Sequence, residues 1–245
     1  MIKKLSAIAA LLATVTVSTN ANAGLMNQVS YASLTGTQIV TFDDIAGGAD
    51  PGTNYDSVVV SHGVGLGERF VGQTLSYLGD SDKLGGAPSG ALTLMAGAPG
   101  QNLNVFNYST NVLTGLGHLG FPNGNAIGEG AFALTFSSDQ SEFGFQLVGG
   151  NGGNAFIDFF RADGSLIDSI TVSGLADAYY GFSRDGGVKD IRGISIWNDD
   201  GGGIGFDNLK HDVESVVGNV PEPGSLALIA LGLAGLGAVR RRTAK

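Results

Sequence analysis

The sequence predicts an all-β fold, an antiparallel β-sandwich of the jelly-roll type. Short segments of alternating apolar and polar side chains recur at intervals of roughly 10–12 residues between turn signals, as is typical of sandwiches and barrels. Glycine makes up 41 of the 245 residues, and this excess supplies the many turns that such a fold requires. No internal stretch keeps the apolar period of about 3.6 residues that an amphipathic helix needs.

The first half of the chain is predicted to combine short strands with long loops. Gly24–Gly36 is expected to form an N-terminal arm with one edge strand. Strands are predicted where apolar alternation is clear, at Thr37–Phe42, Ser57–Ser61, Glu68–Tyr77, Ala91–Met95 and Asn102–Tyr108. Loops or turns are predicted where glycine, proline, Asn and Asp dominate, at Gly47–Tyr55, Gly63–Gly67, Gly79–Gly90 and Thr110–Gly130.

The second half has a clearer strand pattern. Seven strands are predicted, at Ala131–Phe136, Glu142–Val148, Ala155–Arg161, Leu166–Val172, Ala178–Ser183, Ile191–Asn198 and Ile204–Lys210, and in the first two apolar residues occupy every second position. Asp163-Gly164 lies between two of these segments, and an Asp-Gly pair in that position predicts a β-hairpin.

The N-terminus has the three parts of a secretory signal peptide. Lys3 and Lys4 precede the apolar stretch Leu5–Val17, and Ala21-Asn22-Ala23 forms a small-residue cleavage site. We expect export through the Sec translocon and cleavage after Ala23. The alternative is a retained membrane helix, which the shortness of the apolar stretch and its threonines disfavour.

The C-terminal segment 220–245 also has three parts in order. Pro221-Glu222-Pro223 is followed by an uncharged apolar run, Gly224–Val239, and then by Arg240-Arg241-Arg242. Proline cannot join a helix interior, so the first part stays extended. The apolar run is predicted to be a short transmembrane helix, and the arginines hold its far end on the cytoplasmic side. Residues 24–212 are then the sandwich domain and 213–219 a linker.

This tail resembles the PEP-CTERM sorting signal of Gram-negative bacteria. The resemblance implies an exported precursor that its C-terminal helix holds in the inner membrane and that an exosortase processes. It implies a final location at the cell surface or in the extracellular matrix, and it leaves the role of the exported domain open.

Charge and cysteine content exclude several classes of function. Between the two terminal segments the chain carries 7 basic and 21 acidic residues, a net charge of −14. Such a domain repels nucleic acid and anionic lipid, so neither is expected as its partner. The chain has no cysteine, which excludes disulfides, thiolate zinc sites and a cysteine nucleophile.

Acidic residues near the first and last strands predict a structural Ca²⁺ site. Asp43 and Asp44 end the first clear strand, while Asp207 and Asn208 lie in the last one. First and last strands often lie side by side in jelly rolls, and Ca²⁺ takes six to eight oxygen ligands, as is usual for this ion. The alternative is that these are solvated turn carboxylates and strand-end caps.

Aromatic side chains suggest a glycan-binding surface. Trp197 is the only tryptophan, and Tyr179 and Tyr180 form an adjacent pair. Alternation along Ile191–Asn198 turns Trp197 away from the isoleucines, either outward or under a second layer. The sequence FDD near the start and WNDD…IGFDNL near the end resemble carbohydrate-binding-module-like jelly rolls, which implies polysaccharide binding.

No catalytic motif stands out. His62, His118 and His211 are isolated from one another, and the chain has no G-x-S-x-G nucleophile motif. We therefore expect a non-enzymatic surface or matrix protein that binds exopolysaccharide. The alternatives are a secreted hydrolase of matrix polysaccharide, whose paired carboxylates would come from distant strands, and a purely structural or adhesive module.

Overall fold

The computed structural model describes residues 25–212. The predicted signal peptide, linker and sorting segment lie outside these residues, so the predicted domain boundaries stay predictions. Within the described part, helix is limited to three 3₁₀ turns, at Tyr31–Ser33, Gly124–Ala126 and Asp185–Gly187. None of the described helices is long and apolar enough to cross a membrane.

Antiparallel strands make up most of the described chain. In the first half they are β1 (Met26–Val29), β2 (Gln38–Val40), β3 (Thr53–Tyr55), β4 (Val59–Ser61), β5 (Val64–Gly67), β6 (Arg69–Phe70), β7 (Thr74–Leu78), β8 (Ser81–Gly85), β9 (Leu94–Met95), β10 (Leu103–Asn107) and β11 (Asn111–Gly115). In the second half they are β12 (Phe132–Gln140), β13 (Glu142–Asn151), β14 (Asn154–Phe160), β15 (Leu166–Ser173), β16 (Ala176–Arg184), β17 (Ile191–Asn198) and β18 (Gly205–His211).

The strands form two large sheets and two small ones. The order in the eight-stranded sheet is β1-β16-β13-β18-β11-β10-β3, with β2 pairing to β18. The order in the six-stranded sheet is β15-β14-β17-β12-β5-β4. Two-stranded sheets are formed by β6 with β9 and by β7 with β8.

The large sheets pack face to face through aromatic side chains. Phe132 of the six-stranded sheet and Phe206 of the eight-stranded sheet meet with ring centroids 4.6 Å apart. Phe159 and Phe182 make a second contact between the sheets at 5.6 Å. Phe145 is 1 % exposed and lies 5.1 Å from Phe206, so it belongs to the same buried aromatic layer. The predicted β-sandwich is therefore confirmed.

The strands predicted in the second half of the chain agree best with the structure. Each of the seven predicted segments overlaps a strand, and β17 spans the predicted Ile191–Asn198. The hairpin at Asp163-Gly164 is present, with Gly164 N–H donating to the Arg161 carbonyl at 2.9 Å. The first clear strand and the last strand also lie side by side, since Val40 of β2 pairs with Leu209 of β18.

The glycine-rich segments of the first half contain more strand than predicted. Gly63–Gly67, predicted as a turn, is mostly β5, and the turn is His62-Gly63 with φ of 47° and 80°. Glycine is needed in this strand because another segment of the chain passes close to its backbone. A Cβ on Gly67 would lie only 2.7 Å from the Met95 carbonyl oxygen.

Four further segments depart from prediction. Gly79–Gly90 contains β8, which forms a hairpin with β7, and Gly47–Tyr55 ends in β3. Thr110–Gly130 contains β11, whose polar residues are buried because they find partners: the Asn111 amide donates to the carbonyls of Phe42 and Ile45. The predicted strand Glu68–Tyr77 is two strands, β6 and β7, separated by a turn.

Candidate functional site

The outer face of the eight-stranded sheet carries a groove made of three adjoining cavities. Their volumes are about 230, 180 and 460 Å³. Tyr108, Val148 and Asp177 line both the first and the second cavity. Tyr179 lines both the second and the third. The shared residues make the three cavities one continuous surface, called the groove below.

Because side chains alternate between the two faces of a strand, the groove residues face away from the core. Phe143, Phe145 and Leu147 of β13 are buried in the core, so the intervening Gln146 faces the opposite side. Gln146 pairs with Tyr179 of β16 on one side and with Asp207 of β18 on the other. Paired residues share a face of a sheet, so these three side chains form a row across the groove.

Tyrosine rings supply the apolar part of the groove. Tyr179 is 53 % exposed and Tyr108 is 66 % exposed. The Tyr31 ring lies 4.9 Å from the Tyr179 ring at an interplanar angle of 52°. The Tyr31 hydroxyl donates to the Asn208 carbonyl at 2.8 Å, which fixes this ring over the last strand.

Polar groups occupy the floor of the groove. The Asp207 carboxylate accepts from the Thr110 hydroxyl at 2.9 Å and from the Asn208 N–H at 2.7 Å. Burial raises the pKa of Asp207 and the nearby charge of Asp43 raises it further, against the lowering effect of these hydrogen bonds. The Asn208 amide donates to Gln146 at 2.7 Å. These contacts hold a polar surface in place beside the exposed rings.

The carboxylates predicted to bind Ca²⁺ are divided between two places. Asp43 lies near Asp207 and accepts from the Asn111 N–H at 3.3 Å. Asp44 instead accepts from the Ser61 hydroxyl and the His62 N–H at the β4–β5 turn. Among residues 25–212, no three His, Asp or Glu side chains are grouped so that they could hold a metal ion. The Ca²⁺ site stays a prediction.

The predicted glycan-binding aromatics are also separated. Trp197 lies on β17 in the six-stranded sheet, where it stacks on Phe156 at 3.9 Å and 11°, with the Lys83 ammonium 5.7 Å from its ring. Tyr180 packs against the core beside Phe145, at 5.7 Å. Of the three predicted residues, only Tyr179 lies in the groove.

Sequence reasoning missed most of the groove. Tyr31 comes from the N-terminal arm, Tyr108 directly follows β10, and Asp177 lies in β16. No pattern in the sequence connects these residues, because only the order of the strands brings them together.

A fourth, polar cavity of about 290 Å³ borders the first cavity and shares Ile127 and Gly202 with it. Asp80, Asn125 and Glu129 line it. Glu129 is 4 % exposed and accepts a hydrogen bond from the Ser81 hydroxyl. Burial raises the pKa of Glu129, and the charges of Asp200 and Asp80 add to this effect. A carboxyl group in this environment retains its proton to higher pH than usual.

Comparison with known proteins identifies the end of the chain. The family model described as the PEP-CTERM protein-sorting motif matches residues 219–242. The match includes the predicted Pro221-Glu222-Pro223, the apolar run and the three arginines. It confirms the sorting signal, which implies an exported, membrane-anchored precursor and an exosortase as its processing partner. No curated protein and no solved structure matches the chain.

Proposed function

We propose that this exosortase-sorted chain is a non-enzymatic protein of the cell surface or extracellular matrix, whose sandwich binds exopolysaccharide in the groove. The PEP-CTERM motif at residues 219–242 is the premise for export and sorting. The same proposal includes signal-peptide cleavage after Ala23, export by the Sec route and the short membrane helix at residues 224–239. It also includes the final location of the processed domain.

The exposed tyrosines of the groove are the observation that carries this proposal. Sugar rings stack on aromatic faces through their C–H surfaces, while their hydroxyls bond to amide and carboxylate groups. Tyr179 and Tyr108 leave more than half of their surface in solvent, although a sandwich gains stability by burying aromatic rings. Gln146 and Asn208 lie among these rings with amide acceptors and donors for hydroxyl groups, while the Asp207 carboxylate, 3 % exposed, accepts from the Asn208 N–H.

The shape of the site also suits an extended chain. Three cavities in succession offer room for several sugar units, whereas a site for one small molecule is a single enclosed pocket. A polysaccharide that follows the groove would run along β13 and β18, from Val148 and Gly205 past Gln146 and Asp207 to Asn208.

The test is binding of exopolysaccharide from the producing cells to the full chain, measured by calorimetry. The chain is kept soluble in a polyoxyethylene detergent, because alkyl glycosides themselves carry sugars. Tyr179→Ala is expected to weaken binding about tenfold, the order of one lost ring contact. Tyr77→Ala is the matched control, since Tyr77 is 59 % exposed but lies outside the groove on β7. Equal affinities of the wild type and Tyr179→Ala would refute the proposal.

One observation favours the second candidate, a secreted polysaccharide hydrolase. Glu129 is a buried carboxyl group with a raised pKa that shares a cavity with Asp80, as an acid and base pair would. A reducing-end assay on the same polysaccharide separates the two functions. We expect no release of new reducing ends by the wild type; release that Glu129→Gln abolishes would establish the hydrolase instead.

A further inference from the structure

We infer that the groove binds glycans with free amino groups, of the glucosamine type, more tightly than neutral glycans. We also infer that it excludes uronate chains. This inference rests on the proposed function, because it names the class of sugar that the same groove would take. The groove combines exposed rings with negative charge of its own, and this combination decides which sugars fit.

The charged side chains that line the groove are all acidic. Asp177 lines the first and second cavities, and Asp207 lines the second. Among the described residues that line the three cavities, none is Lys, Arg or His. Asp43 adds a further negative charge close to Asp207.

Lys210, a cation beside the groove, does not offset this charge. The Lys210 ammonium lies 5.4 Å from the centre of the Tyr31 ring. Its nitrogen donates to the Leu34 carbonyl at 2.7 Å, so it is held at the margin of the groove rather than within it. A uronate carboxylate placed beside Asp207 or Asp177 would therefore meet like charge with no cation between them.

An amino sugar would meet favourable groups at the same points. Asp177 is exposed, and its Oδ1 atom accepts from the Gly149 N–H, which orients the carboxylate at the mouth of two cavities. A protonated amino group can pair with this carboxylate and also lie against the faces of Tyr179 or Tyr108. Acetylation of that amino group would remove both interactions while leaving the sugar backbone unchanged.

The experiment compares three tetrasaccharides with the full chain in the same detergent and at physiological salt. The probes are β-1,4-linked glucosamine, its fully N-acetylated counterpart and galacturonate. We expect the glucosamine tetramer to bind about tenfold more tightly than the acetylated one, and the galacturonate tetramer not to bind measurably. The acetylated tetramer serves as the neutral probe of identical backbone.

Matched variants distinguish a local site from general attraction to an acidic protein. Asp177→Asn keeps an acceptor for the Gly149 N–H and is expected to reduce the tenfold preference to about twofold. Asp163→Asn removes the same charge from the β14–β15 turn in the other sheet and is expected to leave the preference unchanged. Equal loss in both variants, or a preference that survives both Asp177→Asn and Asp207→Asn, would overturn the inference.

The outcomes also separate this inference from the proposed function. Binding of the acetylated and glucosamine tetramers with equal affinity, through Tyr179, would overturn the amino-sugar preference and leave glycan binding intact. The same holds if the glucosamine tetramer fails to bind while the host exopolysaccharide binds. Failure of every tetramer and of the host exopolysaccharide would overturn both.

Discussion

Acidification is expected to stabilise this domain, and Asp82 is the main cause. Asp82 is 2 % exposed, and its Oδ1 atom has no hydrogen-bond partner. Burial raises its pKa from 3.8 to about 6, despite hydrogen bonds from the backbone at Ala131 and His118 that lower it. The unfolded chain exposes the same carboxyl group to water, where its pKa returns to the ordinary value.

The direction of the pH dependence of stability follows from which state, folded or unfolded, holds the Asp82 proton more tightly. The folded state binds the Asp82 proton more strongly, so its contribution to stability is complete below pH 3.8 and is lost as pH rises through about 6. The shift corresponds to about 3 kcal/mol between these limits, at about 1.36 kcal/mol for each pKa unit. Asp82→Asn removes this charging penalty but leaves a buried amide, which costs about 1 kcal/mol. We therefore expect the variant to be about 2 kcal/mol more stable than wild type at pH 8 and no more stable at pH 3.5.

Unfolding in urea tests this prediction through the fluorescence of Trp197. This residue is the only tryptophan of the chain, and it stacks on Phe156 in the sandwich, so its emission reports on the domain alone. Asp163→Asn is the control, because hydrogen bonds from Ser165 lower rather than raise the pKa of Asp163. The reasoning is refuted if wild type and Asp82→Asn lose stability equally between pH 4 and pH 7.

Two further substitutions test the core and a turn. Phe145→Ala is expected to cost about 3–5 kcal/mol, because Phe145 is buried against the rings of Phe143, Phe182 and Phe206 and its removal leaves a cavity; a loss below about 1 kcal/mol in the urea assay would contradict this packing. His62→Asn is expected to raise the melting temperature by about 1–2 °C, since His62 has a φ of 47° that Asn adopts more readily before Gly63. Calorimetry measures that change, and a lower melting temperature would show that the contact of His62 with Asp44 outweighs the backbone strain.

The success of the sequence predictions depended on how regularly each segment alternates. Ile191–Asn198 was predicted with its observed bounds, because Ile194 and Ile196 are buried and their neighbours face the other side. Segment Gly63–Gly67 was predicted as a turn because it contains three glycines, although Val64–Gly67 is a strand. Gly67 lets the Met95 carbonyl approach closely and Gly65 leaves room for Thr135, and a need for space is invisible until the neighbour is known.

The candidate site could be predicted only in part for the same reason. Tyr179 was chosen as an exposed aromatic residue, but Trp197 was chosen with it although the two lie in different sheets. Asp43 and Asp207 were expected to approach each other through neighbouring first and last strands, and they do lie near enough for their charges to interact. Asp44, one residue later, points to the β4–β5 turn instead.

The sequence by itself determined that this protein carries a sorting signal and what class of fold it has. A sorting signal is a contiguous pattern, so residues 219–242 can be recognised without any structure. Strand alternation is likewise local, with a period of about two residues. The groove is different, because Tyr31 and Asn208 meet only through a hydrogen bond that spans 177 residues. Its rings and carboxylates are brought together by the order and register of β16, β13 and β18, and this pairing is decided by burial of the aromatic core between the two sheets.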